Sequence, residues 1–142
     1  MNQSVIMKRS AFLLFFCISL FSCHKIVENA AQNAILDAMT DGQWVVTSFT
    51  TNGTDITSDF TGYKFQYNRD YTVNAIKNGA IEKTGTWQAD AAAMNITGNF
   101  PNAVNPLLLI NGVWHITDNG WTYVKATMTV GSETRTLRLD KQ

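Results

Sequence analysis

Apolar and small residues between Ile26 and Met39 fall in doublets at 26–27, 30–31, 34–35 and 38–39, recurring every four positions. Glu28, Gln32, Asn33 and Asp37 take the intervening faces, so the spacing predicts an amphipathic helix that ends near Thr40-Asp41-Gly42. After Gly42 the vocabulary changes to Val, Thr, Tyr, Trp and Phe broken by Asn, Asp and Gly, which is the texture of short strands. Strands are expected over Gln43–Thr50, Gly62–Tyr67, Tyr71–Lys77, Ile81–Gln88, Ala92–Gly98, Leu107–Thr117, Trp121–Val130 and Glu133–Asp140. Asn68-Arg69-Asp70, Asn78-Gly79, Asp118-Asn119-Gly120 and Gly131-Ser132 supply turns short enough to join antiparallel neighbours. Asn111-Gly112 either splits the sixth strand or marks a bulge.

Alternation gives these strands two faces. Tyr63, Phe65 and Tyr67 alternate with Lys64 and Gln66, Val124, Ala126 and Met128 with Lys125 and Thr127, and Leu137 and Leu139 with Arg138. Strands that are apolar on one side and wet on the other suit an antiparallel all-β domain around one core. About eight of them in roughly 100 residues fit an up-and-down barrel or a sandwich, and a closed barrel has the advantage of leaving no exposed edges. A membrane-spanning barrel is disfavoured, because several strands are shorter than the roughly 9–11 residues needed to cross and their outer faces carry Lys, Gln, Thr and Arg.

Ahead of the helix, Lys8-Arg9 precedes an apolar run from Ala11 to Phe21 that stops at Ser22-Cys23. A positive start, a short apolar stretch and a small residue before the cut describe an export signal, and the run is too short for a spanning helix. Leu20-Phe21-Ser22-Cys23 resembles the lipobox of bacterial lipoproteins. That resemblance implies cleavage before Cys23 and acylation of its thiol and new amino group. The chain then divides into a signal at 1–22, a lipidated Cys23 with the helix or linker to residue 41, and a β-domain at 42–142. Acyl chains contribute about 0.8 kcal/mol per buried methylene, so two or more would hold the protein at a membrane. His24-Lys25-Ile26-Val27-Glu28 lacks the acidic run that some outer-membrane-rich bacteria place after the cysteine of surface lipoproteins. The expected location is therefore the cell envelope, at the outer membrane and facing the periplasm.

Composition narrows the chemistry. Without residues 1–22 the mature chain would hold 120 residues, with nine Lys and Arg against eleven Asp and Glu. One domain fits that length, and nucleic acid is not an expected partner, since no basic run is left. Cys17 leaves with the signal and Cys23 carries lipid, so neither a disulfide nor a cysteine metal site is available. His115 is the one histidine away from the anchor, and no Gly-x-Ser-x-Gly, phosphate loop or His-Glu-x-x-His is present. No catalytic residue, metal or cofactor is assigned, and the chain is read as a non-enzyme.

Three of the four tryptophans follow a glycine by two residues: Gly42-Gln43-Trp44, Gly85-Thr86-Trp87 and Gly112-Val113-Trp114; the fourth follows directly, in Gly120-Trp121. Gly42-Gln43-Trp44, just before the first strand, resembles the Gly-x-Trp signature of lipocalins. The stretch Tyr63–Ile96, with Asp70-Tyr71-Thr72-Val73 and Thr84-Gly85-Thr86-Trp87, is similar to the lipocalin-like domain of many small bacterial lipoproteins. The resemblance implies a lipocalin-like barrel with Gly42 and Trp44 at its closed base, and binding of a small apolar ligand. Alternation nominates Phe65, Tyr71, Trp87, Met94, Val124 and Met128, with Val73 and Ile96, as inward residues that would line a cavity or fill a core. The alternative function is an envelope adaptor or assembly subunit with a solid barrel; its protein partner is unknown.

Overall fold

Eight antiparallel strands wind in chain order into a closed barrel, because the last pairs with the first. The computed structural model describes residues 25–142; the signal, its cleavage point and Cys23 lie outside the described residues. Helix α1, residues 25–40, leads through Asp41–Gln43 into β1 (Trp44–Thr51). A two-residue strand, β2 (Thr54–Asp55), turns back on β1 beside a 3-10 turn at Thr57–Phe60. Then follow β3 (Tyr63–Tyr67), β4 (Thr72–Lys77), β5 (Ala80–Asp90), β6 (Asn95–Asn99), β7 (Gly112–Asn119), β8 (Tyr123–Val130) and β9 (Glu133–Lys141). Each of β3–β9 pairs with its sequence neighbour. The seam closes where β1 pairs along its length with β9 and through Trp44 opposite Phe65 with β3.

The expected alternation is visible in the burial of each strand. Tyr63, Phe65 and Tyr67 on β3, Val124, Ala126 and Met128 on β8, and Leu137 and Leu139 on β9 all point into one core, and the fully buried residues among those described are all apolar or aromatic. Several boundaries move. Leu107–Ile110, expected as strand, forms a 3-10 turn whose Leu107 and Ile110 enter the core. An unbroken Leu-Leu-Leu-Ile run has no period of two, and Asn111 pins it by bonding both backbone groups of Phe100, at 2.6 and 3.0 Å. β7 therefore starts at Gly112. Residues 92–94, expected in a strand, belong to the β5–β6 turn at 91–94, and Tyr71 ends the β3–β4 turn, where its φ is +65°.

Glycine-x-tryptophan does the same job three times. Trp44, Trp87 and Trp114 are buried, and each indole N–H donates to a main-chain carbonyl outside the strands: Met39 in the last turn of α1 at 2.9 Å, Asn68 at 3.0 Å and Ile110 at 2.8 Å. A buried indole thus gains its hydrogen-bond partner while fixing a cap onto the barrel. Gly85 is required by close approach, since a Cβ there would stand 2.3 Å from the Asn99 carbonyl oxygen.

The two ends of the barrel differ. At one end Phe60, Leu107 and Ile110 from the 3-10 turns close the interior. At the other, α1 lies across the rim and sends Met39 into the core, with Ile35 and Leu36 packed against it. Gln32 clamps the helix to the β5–β6 turn, donating to the Ala89 carbonyl at 2.6 Å and accepting from the Ala91 N–H at 3.1 Å. Arg69 in the β3–β4 turn reaches Asp37 at 2.7 Å. The ring of strands closes within residues 44–141 and the buried cluster spans residues 39–139, so this part of the chain holds a complete core.

Candidate functional site

The barrel interior is full. A residual void of about 30 Å³ lies among Tyr67, Val73, Phe100 and Trp114, about the room of a single water. Aromatic packing accounts for the filling: Phe49 stacks on Phe60 at 4.9 Å and meets Trp114 edge-on at 5.7 Å, and Tyr67 meets Trp87 edge-on at 5.3 Å.

Open space lies instead under α1. A cleft of about 440 Å³ runs between the helix and the barrel rim. Its helix wall is made of Ala31, Ala34, Ile35 and Ala38, and the small alanines are what keep the helix from filling it. Facing them are Ala91 and Met94 of the β5–β6 turn and Gly120 and Trp121 of the β7–β8 turn. The floor is Met39, Trp44, Ile96, Ile116 and Val124, the upper layer of the barrel core. Trp121 is 56% exposed and Met94 42%, so large apolar groups border this opening in contact with water. Such a surface is the sort that binds something.

Polar side chains at the cleft are few, Asp90, Asn95 and Asn119, and the first two are engaged. Asp90 accepts from the Ala93 N–H at 3.0 Å. The Asn95 side chain, with its amide turned to donate, lies 3.1 Å from His115 Nδ1 and 3.3 Å from the Ala93 carbonyl. His115 itself is exposed on the outer face of β7. Among the described residues no group of His, Cys, Asp and Glu is arranged to hold a metal ion.

No family model and no curated protein matches the sequence. The fold does have a counterpart. A DUF4847 family protein from Bacteroides vulgatus ATCC 8482 superposes with a TM-score of 0.55 over 76% of this chain and 99% of that one, at 15% identity. At that identity the likeness speaks for the eight-stranded barrel alone.

The eight residues nominated from alternation separate into three places, Val73 falling in the buried core and Ile96 in the cleft floor. Met94 and Val124 line the cleft. Phe65, Trp87 and Met128 are buried in the filled core, where Phe65 stacks near Tyr63 at 6.2 Å and Met128 lies against Gly112. Tyr71, 44% exposed, leans on the Trp87 ring at 5.8 Å from the outside of the rim. Gly42 and Trp44 stand at the helix-covered end, Gly42 with a φ of +84° and Trp44 in the cleft floor. Sequence reasoning did not select the alanine face of α1 or Trp121. The signal for the second was present: it is the one tryptophan with glycine directly before it, placed in a turn rather than two residues into a strand.

Proposed function

We propose that the protein is a lipid-anchored, lipocalin-like envelope lipoprotein that binds a small apolar ligand between α1 and the barrel rim. The cleft carries this reading: its volume lies within the usual range for small-molecule sites, about 300–1,000 Å³, and its lining is mostly apolar with aromatic and methionine side chains. The Gly42-Gln43-Trp44 motif just before the first strand supports the lipocalin-like part, and the lipobox-like segment ending at Cys23 supports the anchor. Binding would transfer apolar ligand surface out of water at roughly 25 cal/mol per Å². The protein is read as a binder and not an enzyme, because the cleft's Asp90 and Asn95 side chains hold their own turn and hairpin. The packed interior favours a second reading, the solid-barrel adaptor whose outer surface recognises a protein, since it leaves no room inside the barrel for a ligand.

Native mass spectrometry of the protein purified from its own envelope separates the two. A co-purified adduct that is lost on filling the cleft supports the binder. Repeated absence of any adduct, with apolar dyes failing to bind, overturns it in favour of the adaptor.

A further inference from the structure

Along β9 the inward positions are Leu137, Leu139 and then Lys141. The third of these sends a cation, not a methyl group, toward the helix-covered end. Only 11% of the Lys141 side chain is exposed, and its Nζ lies 5.1 Å from the ring centres of both Trp44 and Trp121. Both indoles line the cleft, so the ammonium, itself outside the lining, stands one aromatic ring away from it. Two π faces attract a cation, but an ammonium withdrawn from water also calls for an anionic partner at hydrogen-bonding distance. Asp41 answers poorly: its Oδ2 lies 3.4 Å away, longer than the about 2.7–2.9 Å of a good charge-assisted bond, and its side chain is 68% exposed. Asp90, the one acidic side chain among the described lining residues, is held by the Ala93 N–H. A largely apolar cleft thus lies one ring away from a half-withdrawn cation whose acidic partner is long-range and solvent-exposed.

We propose that the cleft takes a single-chain amphiphile with a carboxylate head: the hydrocarbon lies between the alanine face of α1 and Met94, and the carboxylate displaces Asp41 from Lys141. This rests on the reading of the cleft as an apolar binding site and names the class of its ligand. Association is non-covalent, and the exchange of one carboxylate for another leaves the charge at Lys141 balanced.

Dodecanoate and dodecanol share a chain and differ in the head, so paired titrations test the point on residues 23–142 carrying Cys23→Ser, which contain the complete core and both walls of the cleft. Dodecanoate should bind at least tenfold more tightly than dodecanol, Lys141→Gln should erase that difference, and Asp41→Asn should tighten dodecanoate several-fold without altering dodecanol. Equal binding of the two ligands, or a preference that survives Lys141→Gln, overturns the carboxylate assignment and leaves the apolar cleft standing. Binding of neither ligand overturns both. Should Lys141→Gln not fold, Asp41→Asn decides alone, because Asp41 is exposed; an unchanged dodecanoate affinity in that variant overturns the assignment.

Discussion

The Trp44 indole nitrogen donates a 2.9 Å hydrogen bond to the Met39 carbonyl oxygen, tying the last turn of α1 to the first residue of β1 inside the core. Helix and barrel are thereby set in one orientation, and the cleft between them has a defined width. Trp44→Phe keeps most of the apolar volume and leaves that buried carbonyl without its donor. The expected cost is about 1–3 kcal/mol, read as a lower urea midpoint at unchanged slope. Loss of amide-exchange protection in α1 should exceed that in β8, which a simple loss of core volume would not produce.

Gly85 and Gly98 both lie within strands, yet they should respond unequally to alanine. A Cβ at Gly85 would meet the Asn99 carbonyl oxygen at 2.3 Å and the Phe100 ring at 2.8 Å, whereas at Gly98 its nearest neighbours are Ile110 atoms at 3.6 Å. Gly85→Ala is expected to destabilise by about 1–3 kcal/mol, as overpacking does, and Gly98→Ala to be close to neutral. Thermal unfolding of the two variants side by side checks the contrast.

Much of the barrel was legible because its strands obey a period of two. The 63–67, 124–128 and 137–139 alternations each have one answer, since a shift of one residue would turn Lys64, Lys125 or Arg138 into the core. Leu107–Ile110 was not legible as a turn, because four consecutive apolar residues fit a buried strand equally well. Tyr71 and Met94, expected at inward strand positions, stand in turns with φ of +65° and +54° and are 44% and 42% exposed. The cleft is harder still to read, because its walls are an alanine face near residue 34 and two turns near residues 92 and 121, brought together only by the wrap of the barrel. Lys141 was within reach: it continues the 137–139 alternation by one step.

Alkaline pH should weaken the fold. The Tyr63 hydroxyl is pushed up to about 12 from 10.0, mainly by burial and further by its hydrogen bond to the Glu82 carboxylate; burial raises Tyr67 as well. A phenol whose folded pKa is raised contributes stability that is intact below the unfolded value near 10 and is lost as pH rises through about 12. The urea midpoint is therefore expected to fall between pH 10 and 12, and to fall less steeply in Tyr63→Phe. An identical slope in that variant would remove Tyr63 from the explanation.

Membrane attachment is assigned to Cys23 from sequence alone. Cys23→Ser should accumulate uncut precursor and abolish acyl labelling, moving the protein out of the lipoprotein fraction. Processing and fractionation identical to the unsubstituted chain would contradict the anchor.

Ala34→Trp tests most directly where a ligand goes, because Ala34 is an exposed helix residue on the cleft wall and remote from the filled interior. Titration with a neutral solvatochromic dye should give saturable binding to the unsubstituted chain and loss of at least tenfold in affinity in Ala34→Trp, at an unchanged unfolding midpoint. Equal dye binding by both proteins would contradict the cleft as the site.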